Sequence, residues 1–115
     1  MTGKDRKVLP EEITGIVTER FKDTIAEDLV GVFLFGSRAR GDATDGSDYD
    51  FLVVVKDGSA FPKGDVHGAA ADLDLALQVV VSVIVKTESE WKREQALPLA
   101  REIRRHGKSL YGKAA

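Results

Sequence analysis

The sequence contains no cysteine in 115 residues, which excludes disulfides and thiolate metal sites. Neither sign of charge dominates: 17 Lys and Arg stand against 19 Asp and Glu, for a net charge of −2. A dedicated nucleic-acid binder would show a basic surplus, so nucleic acid is an unexpected partner. Long hydrophobic runs are missing as well. The longest, Val79–Val85, falls far below the roughly 20 apolar residues of a membrane-spanning helix, so no membrane association is expected. No apolar segment follows Met1–Lys7, and a secretory signal is therefore not expected. The two histidines, His67 and His106, are far apart and lack ligand spacing. Internal repeats, low-complexity tracts and linkers are also missing. What remains is 43% hydrophobic and 31% charged, the balance of an ordered globular protein. The expectation is one cytoplasmic domain over residues 1–115, with residues 1–9 flexible.

Apolar residues from Pro10 to about Leu29 recur at helical spacing (Ile13, Ile16, Val17, Phe21, Ile25, Leu29), and Pro10 with Glu11 and Glu12 suits a first helical turn. After Gly31, Val32–Phe35 predicts a short buried strand. Ser37–Arg40 predicts one helical turn with Ser37 as N-cap, Gly41–Ser47 a loop, and Asp48–Val55 a second strand. Asp57-Gly58-Ser59 and Pro62-Lys63-Gly64 mark a surface connection. Asp65–Leu77 predicts a helix with Val66, Ala69, Ala70, Leu73, Ala76 and Leu77 toward the core. Val79–Val85 predicts a third strand, placed centrally because both its faces are apolar. Thr87 and Glu90 form a capping box for a helix carrying Trp91 and Leu97. Pro98 breaks or restarts that helix, Leu99 and Ile103 continue an apolar face, and Gly107 stops it. Leu110-Tyr111 predicts a short edge strand. The fold class is α/β: a small mixed sheet with helices packed against it.

The stretch Phe35–Asp50, FGSRARGDATDGSDYD, is not what a core requires. An apolar strand ends at Gly36-Ser37, where backbone N–H groups and a hydroxyl can meet a phosphate. Alternation along the second strand projects Asp48 and Asp50 from one face and Tyr49 from the other. Two adjacent carboxylates repel unless a cation sits between them, and Mg²⁺ is the usual one. Each half is weak evidence alone, since Gly-Ser is more often a turn and an Asp-rich loop is common. Together they point to a nucleoside triphosphate. A P-loop fails here, because Asp42-Ala43 stand where Lys and Ser/Thr are required.

GSRARG followed by SDYDFLVVV resembles the nucleotidyltransferases related to DNA polymerase β, in the minimal branch with the pattern Gly-Ser-x10-Asp-x-Asp. Here the pattern falls on Gly36, Ser37, Asp48 and Asp50, and the ending Glu102–Tyr111 is similar to that branch too. The resemblance implies the nucleotidyltransferase fold and transfer of a nucleotidyl group. Gly36 and Ser37 would hold the triphosphate, with ATP the leading nucleotide; Arg40 and Ser47 would add contacts to it. Asp48 and Asp50 would be both the Mg²⁺ ligands and the catalytic residues, and a nucleoside monophosphate would pass to a hydroxyl with release of pyrophosphate. Arg38 is a further candidate phosphate contact. Small members of this kind are often antitoxins paired with a helical HEPN-class protein, which makes such a protein the expected partner.

One departure bears on catalysis. Many members carry a third carboxylate on the next strand, and that position here holds Ser82, which supplies no charge at neutral pH. Asp72 and Asp74 lie on the preceding helix. The competing expectation is thus a catalytically degenerate module that binds nucleotide or a partner. A template-directed DNA polymerase is disfavoured, for want of chain length and basic charge. Trp91 reads as packing, and Arg101, Arg104, Arg105 and Lys108 as a solvated basic face at a helix end, where a partner surface is an open alternative.

Overall fold

The computed structural model describes residues 8–59 and 63–112. The expectation that residues 1–9 are flexible lies outside the described residues up to residue 7. Val8 packs partly buried against the core. Pro62 of the expected surface connection also lies outside the described residues.

Pro10 opens α1 (Pro10–Ile25), and the Glu12 carboxylate turns back to accept the Leu9 N–H at 3.0 Å, closing the first turn. Its buried stripe is Ile13, Val17, Thr18, Phe21 and Ile25. The helix ends four residues short of the expected Leu29, tightening into a 3₁₀ turn over Ala26–Asp28. Strand β1 (Leu29–Phe35) therefore begins before Gly31, not after it. A register irregularity opposite Val54 and Val55 absorbs the extra residue as a bulge. One helical turn, α2 (Ser37–Arg40), leads through a loop to β2 (Tyr49–Val55). Helix α3 (Lys63–Leu77) crosses to β3 (Val81–Thr87), and α4 (Glu88–Arg93), α5 (Pro98–His106) and β4 (Lys108–Tyr111) complete the chain. Among the described residues no helix is long and apolar enough to cross a membrane.

The sheet order is β3-β2-β1-β4, with β2 antiparallel to β1 and parallel to β3, and β4 antiparallel to β1. The short hop from β1 to β2 suits an antiparallel neighbour, and the α3 crossover suits a parallel one. Alternation then sorts the side chains. Tyr49, Phe51, Val53 and Val55 face α1 and α3, while Leu52 and Val54 join Phe33 against Trp91, Ala100 and Ile103. Trp91 is the packing residue expected of it, its ring 6.3 Å from Phe33.

Three expectations are corrected. Strand β3 lies at an edge of the sheet, not at its centre; Ile84 within it is 37% exposed, and Val80, just before it, is 51% exposed. Its apolar character on both faces reflects sheet propensity more than burial. Ala76 is exposed, whereas Leu77 beside it packs partly buried against the core as expected. Leu97 belongs to no helix: it is the N-cap of α5 and is exposed. The Thr87 capping box forms as expected, with Glu90 N donating to Thr87 Oγ1 at 3.2 Å and Thr87 N to Glu90 Oε1 at 2.8 Å.

Candidate nucleotide and metal site

The two halves of the Gly-Ser and Asp-x-Asp pattern meet because β1 and β2 are neighbours. Phe35 pairs with Asp50 across them, which sets Gly36 beside the Asp50 carboxylate. Gly36 has φ +74°, and a Cβ there would collide with Asp50 Oδ2 and lie 3.2 Å from its Cγ. Only glycine allows both the backbone turn and this close approach. Gly36, not the expected Ser37, caps α2; its carbonyl accepts the Ala39 and Arg40 N–H groups, each at 3.0 Å. Ser37 is freed from capping, and its hydroxyl has no hydrogen-bond partner among the described residues.

Asp48 is exposed just before β2, and Asp50 is half-buried within it. Partial burial and the neighbouring Asp48 charge push the Asp50 carboxyl above its ordinary value, with Arg40 pulling in the opposite direction. Neither carboxylate makes an ion pair among the described residues. Two neighbouring carboxylates without an ion pair suit a hard divalent cation that keeps several waters and shares its shell with phosphates. Asp48 and Asp50 are the residues that could hold it. No cluster of three or more metal-ligating side chains exists among the described residues, so this is not a cage for an ion alone.

Arg40 and Arg38 diverge. Arg40 Nη1 donates to Glu102 Oε2 on α5 at 2.8 Å, and its Nε to Asp42 Oδ2 at 3.4 Å, so a carboxylate already occupies its fork near Asp50. Arg38 turns to the opposite face of the sheet. Its Nη2 donates to the Asp45 and Ser47 carbonyls at 3.2 and 3.1 Å, and its guanidinium lies 4.3 Å from the Tyr49 ring centroid. That placement does not suit the candidate phosphate contact. Ser47 Oγ accepts the Thr44 N–H at 2.9 Å and so helps fold the loop before Asp48.

Ser82 stands in register with Asp50 across the parallel pair β2–β3, where a third carboxylate would complete the group. Asp72 and Asp74 are engaged elsewhere: Asp72 pairs with Arg20 at 2.9 Å, and Asp74 Oδ1 accepts the Val81 N–H at 2.6 Å. A cavity of about 640 Å³, lined by Pro10, Ile13, Arg38, Tyr49 and Gln78 among others, lies on the α1–α3 side rather than at the carboxylates. Glu102 escaped sequence reasoning, because it meets Arg40 from 62 residues away and no local pattern marks it. His67 and His106 are exposed, and neither belongs to a cluster of metal-ligating side chains among the described residues.

Residues 11–108 match the family described as nucleotidyltransferase domain. The chain belongs to that family. A Methanocaldococcus jannaschii protein whose name proposes a protein adenylyltransferase is 33% identical over 76 residues, covering 66% of this chain. The match spans 49% of that protein, so the chain corresponds to about half the length of this curated relative. A solved structure described as a proposed minimal nucleotidyltransferase superposes with a TM-score of 0.61 at 25% identity, covering 94% of this chain and 100% of that one. A complex of the tri-AMPylated Shewanella oneidensis HEPN toxin with its MNT antitoxin gives a TM-score of 0.63 at 20% identity, over 91% and 74% of the two chains. The fold of this nucleotidyltransferase domain is thus shared with minimal nucleotidyltransferases, and the mixed α/β sheet expected from sequence is the one they carry.

Proposed function

We propose that this domain binds ATP with Mg²⁺ and transfers adenylate to a hydroxyl group on a partner protein, a helical HEPN-type protein, in the cytoplasm. The observation that carries this reading is the convergence of Gly36, Ser37, Asp48 and Asp50 at one end of β1 and β2. The M. jannaschii relative's name and the AMPylated toxin in the S. oneidensis complex support the same chemistry and the same class of acceptor.

In this reading Asp48 and Asp50 hold Mg²⁺, which when bound neutralises phosphate charge and favours the departing pyrophosphate. The Gly36 turn brings backbone against the phosphates, and Ser37 offers its hydroxyl. Arg40 exchanges Glu102 for a phosphate oxygen, and Ser47 lines the approach. The acceptor oxygen forms the new bond to the α-phosphorus while the α–β bridging bond breaks, its electron pair leaving with pyrophosphate. The hydroxyl proton leaves to water, since Ser82 stands where a third carboxylate would take it.

Incubation with an HEPN-type protein and ATP labelled at the α- or the γ-phosphate tests the reading. Label from the α position on the partner, none from the γ position, and pyrophosphate release are expected. Label from the γ position would assign phosphoryl transfer instead. The second reading, a binding module without catalysis, is favoured by one observation, the Ser82 hydroxyl in register with Asp50. It predicts ATP binding with no label transferred.

A further inference from the structure

Arg38 lies in the middle of the motif yet points away from where substrate would sit. Its Nη2 is committed to the carbonyls of Asp45 and Ser47, the latter immediately preceding Asp48. Its Nε is buried without a partner among the described residues, while the side chain as a whole is half-buried and lines the cavity on the α1–α3 side. The same group stacks on Tyr49, which is 2% exposed and sits between the two carboxylates in sequence but faces the other side of the sheet. One planar cation on α2 thus grips the backbone before Asp48 and the ring after it. A lysine ammonium cannot do this, because it is a point charge without a stacking plane or a fork.

We propose that Arg38 is a positioning residue that locks Asp48 to the Gly36–Ser37 turn, so that the metal-holding carboxylate and the phosphate-holding backbone move as one unit. The proposal deepens the nucleotidyltransferase reading and rests on it for its consequence. Apart from Arg38, the bonds near Asp48 among the described residues include the Thr44–Ser47 turn inside the loop, the Arg40–Asp42 pair at its start, and Tyr49 N donating to the Val80 carbonyl at 2.8 Å just beyond it. Without Arg38 the loop keeps its turn and the Arg40–Asp42 pair at its start, but loses the tie from α2 to the residues directly before Asp48. The spacing between Asp48 and Asp50 then becomes variable, and the cation, not the phosphates, is the ligand that suffers.

The test compares the parent chain with Arg38→Lys, and with Arg38→Gln should the lysine variant not fold. Backbone amide relaxation of residues 42–48 without ligand reads the lock directly. An ordered loop in the parent and a mobile one in the variant are expected, with α1 and β2 unchanged. Calorimetry with ATP, with and without Mg²⁺, reads the consequence. Arg38→Lys is expected to lose about 10–100-fold of the Mg²⁺-dependent ATP affinity, the scale of losing a group that orients metal ligands. Metal-free ATP affinity stays at the parent value. Equal losses with and without Mg²⁺ would make Arg38 a phosphate contact and overturn the proposal. A loop as ordered as the parent's would overturn it too. If the parent binds no ATP at all, the nucleotidyltransferase reading fails, and the relaxation measurement still decides whether Arg38 holds Asp48.

Discussion

Asp50 works against the stability of the ligand-free fold. Burial and Asp48 raise its carboxyl above the ordinary 3.8, so the native state keeps this proton at pH values where the unfolded chain has lost it. Its contribution is present below that ordinary value and is lost as pH rises through the raised one. Asp57 runs the other way: bonds from Ser89 lower it, so its contribution holds above 3.8 and is lost as pH falls through the lowered value. Asp50→Asn is therefore expected to remove the part of the metal-free stability loss between 3.8 and neutral pH that Asp50 causes, measured as denaturant midpoints against pH. An unchanged slope would mean that Asp50 is not under strain. Ser82→Asp should have the opposite effect, because it adds a third carboxylate in register with Asp50. Less metal-free stability, tighter Mg²⁺ binding and faster pyrophosphate release are expected, from metal titration and a coupled assay. Robust parent turnover with no gain in the variant would show that the site works without a carboxylate at 82.

The elements were legible wherever local chemistry decides them. Pro10 with its acidic first turn, the Thr87–Glu90 box and the Gly107 stop all produced the ends they predict. Thr87→Ala removes the acceptor for Glu90 N and should cost about 1 kcal/mol, read by chemical denaturation, with β3 and α4 loosening together. Elements set by distant partners were misjudged. A strand of valines and isoleucine looks central, but β3 has a neighbour only in β2 among the described residues, and nothing in its own sequence records that. Serine is the better N-cap by propensity, yet Gly36 takes that place because Asp50, a residue on the next strand, leaves no room for a Cβ. Leu29 to Gly31 read as the end of a helix because their strand role depends on a bulge opposite Val54 and Val55.

For the molecule as a whole, the sheet order brings Phe35, Asp50 and Ser82 into one row across three strands. The candidate site was readable because its pattern spans only a strand, a turn and a strand, adjacent in sequence and in space. Its surroundings were not. Glu102 reaches Arg40 from α5, and Arg38 turns beneath the loop onto Tyr49, and both depend on packing between elements. The central claim is that the Gly-Ser turn and the Asp pair form one site for a metal–nucleotide complex. Calorimetric titration of ATP into the parent, Asp48→Asn and Asp50→Asn, each with and without Mg²⁺, tests it most directly. Mg²⁺-dependent binding by the parent and a loss of more than about tenfold in each variant, with the fold intact, are expected. No binding by the parent at millimolar ATP and Mg²⁺, or variants that bind as the parent does, would contradict it.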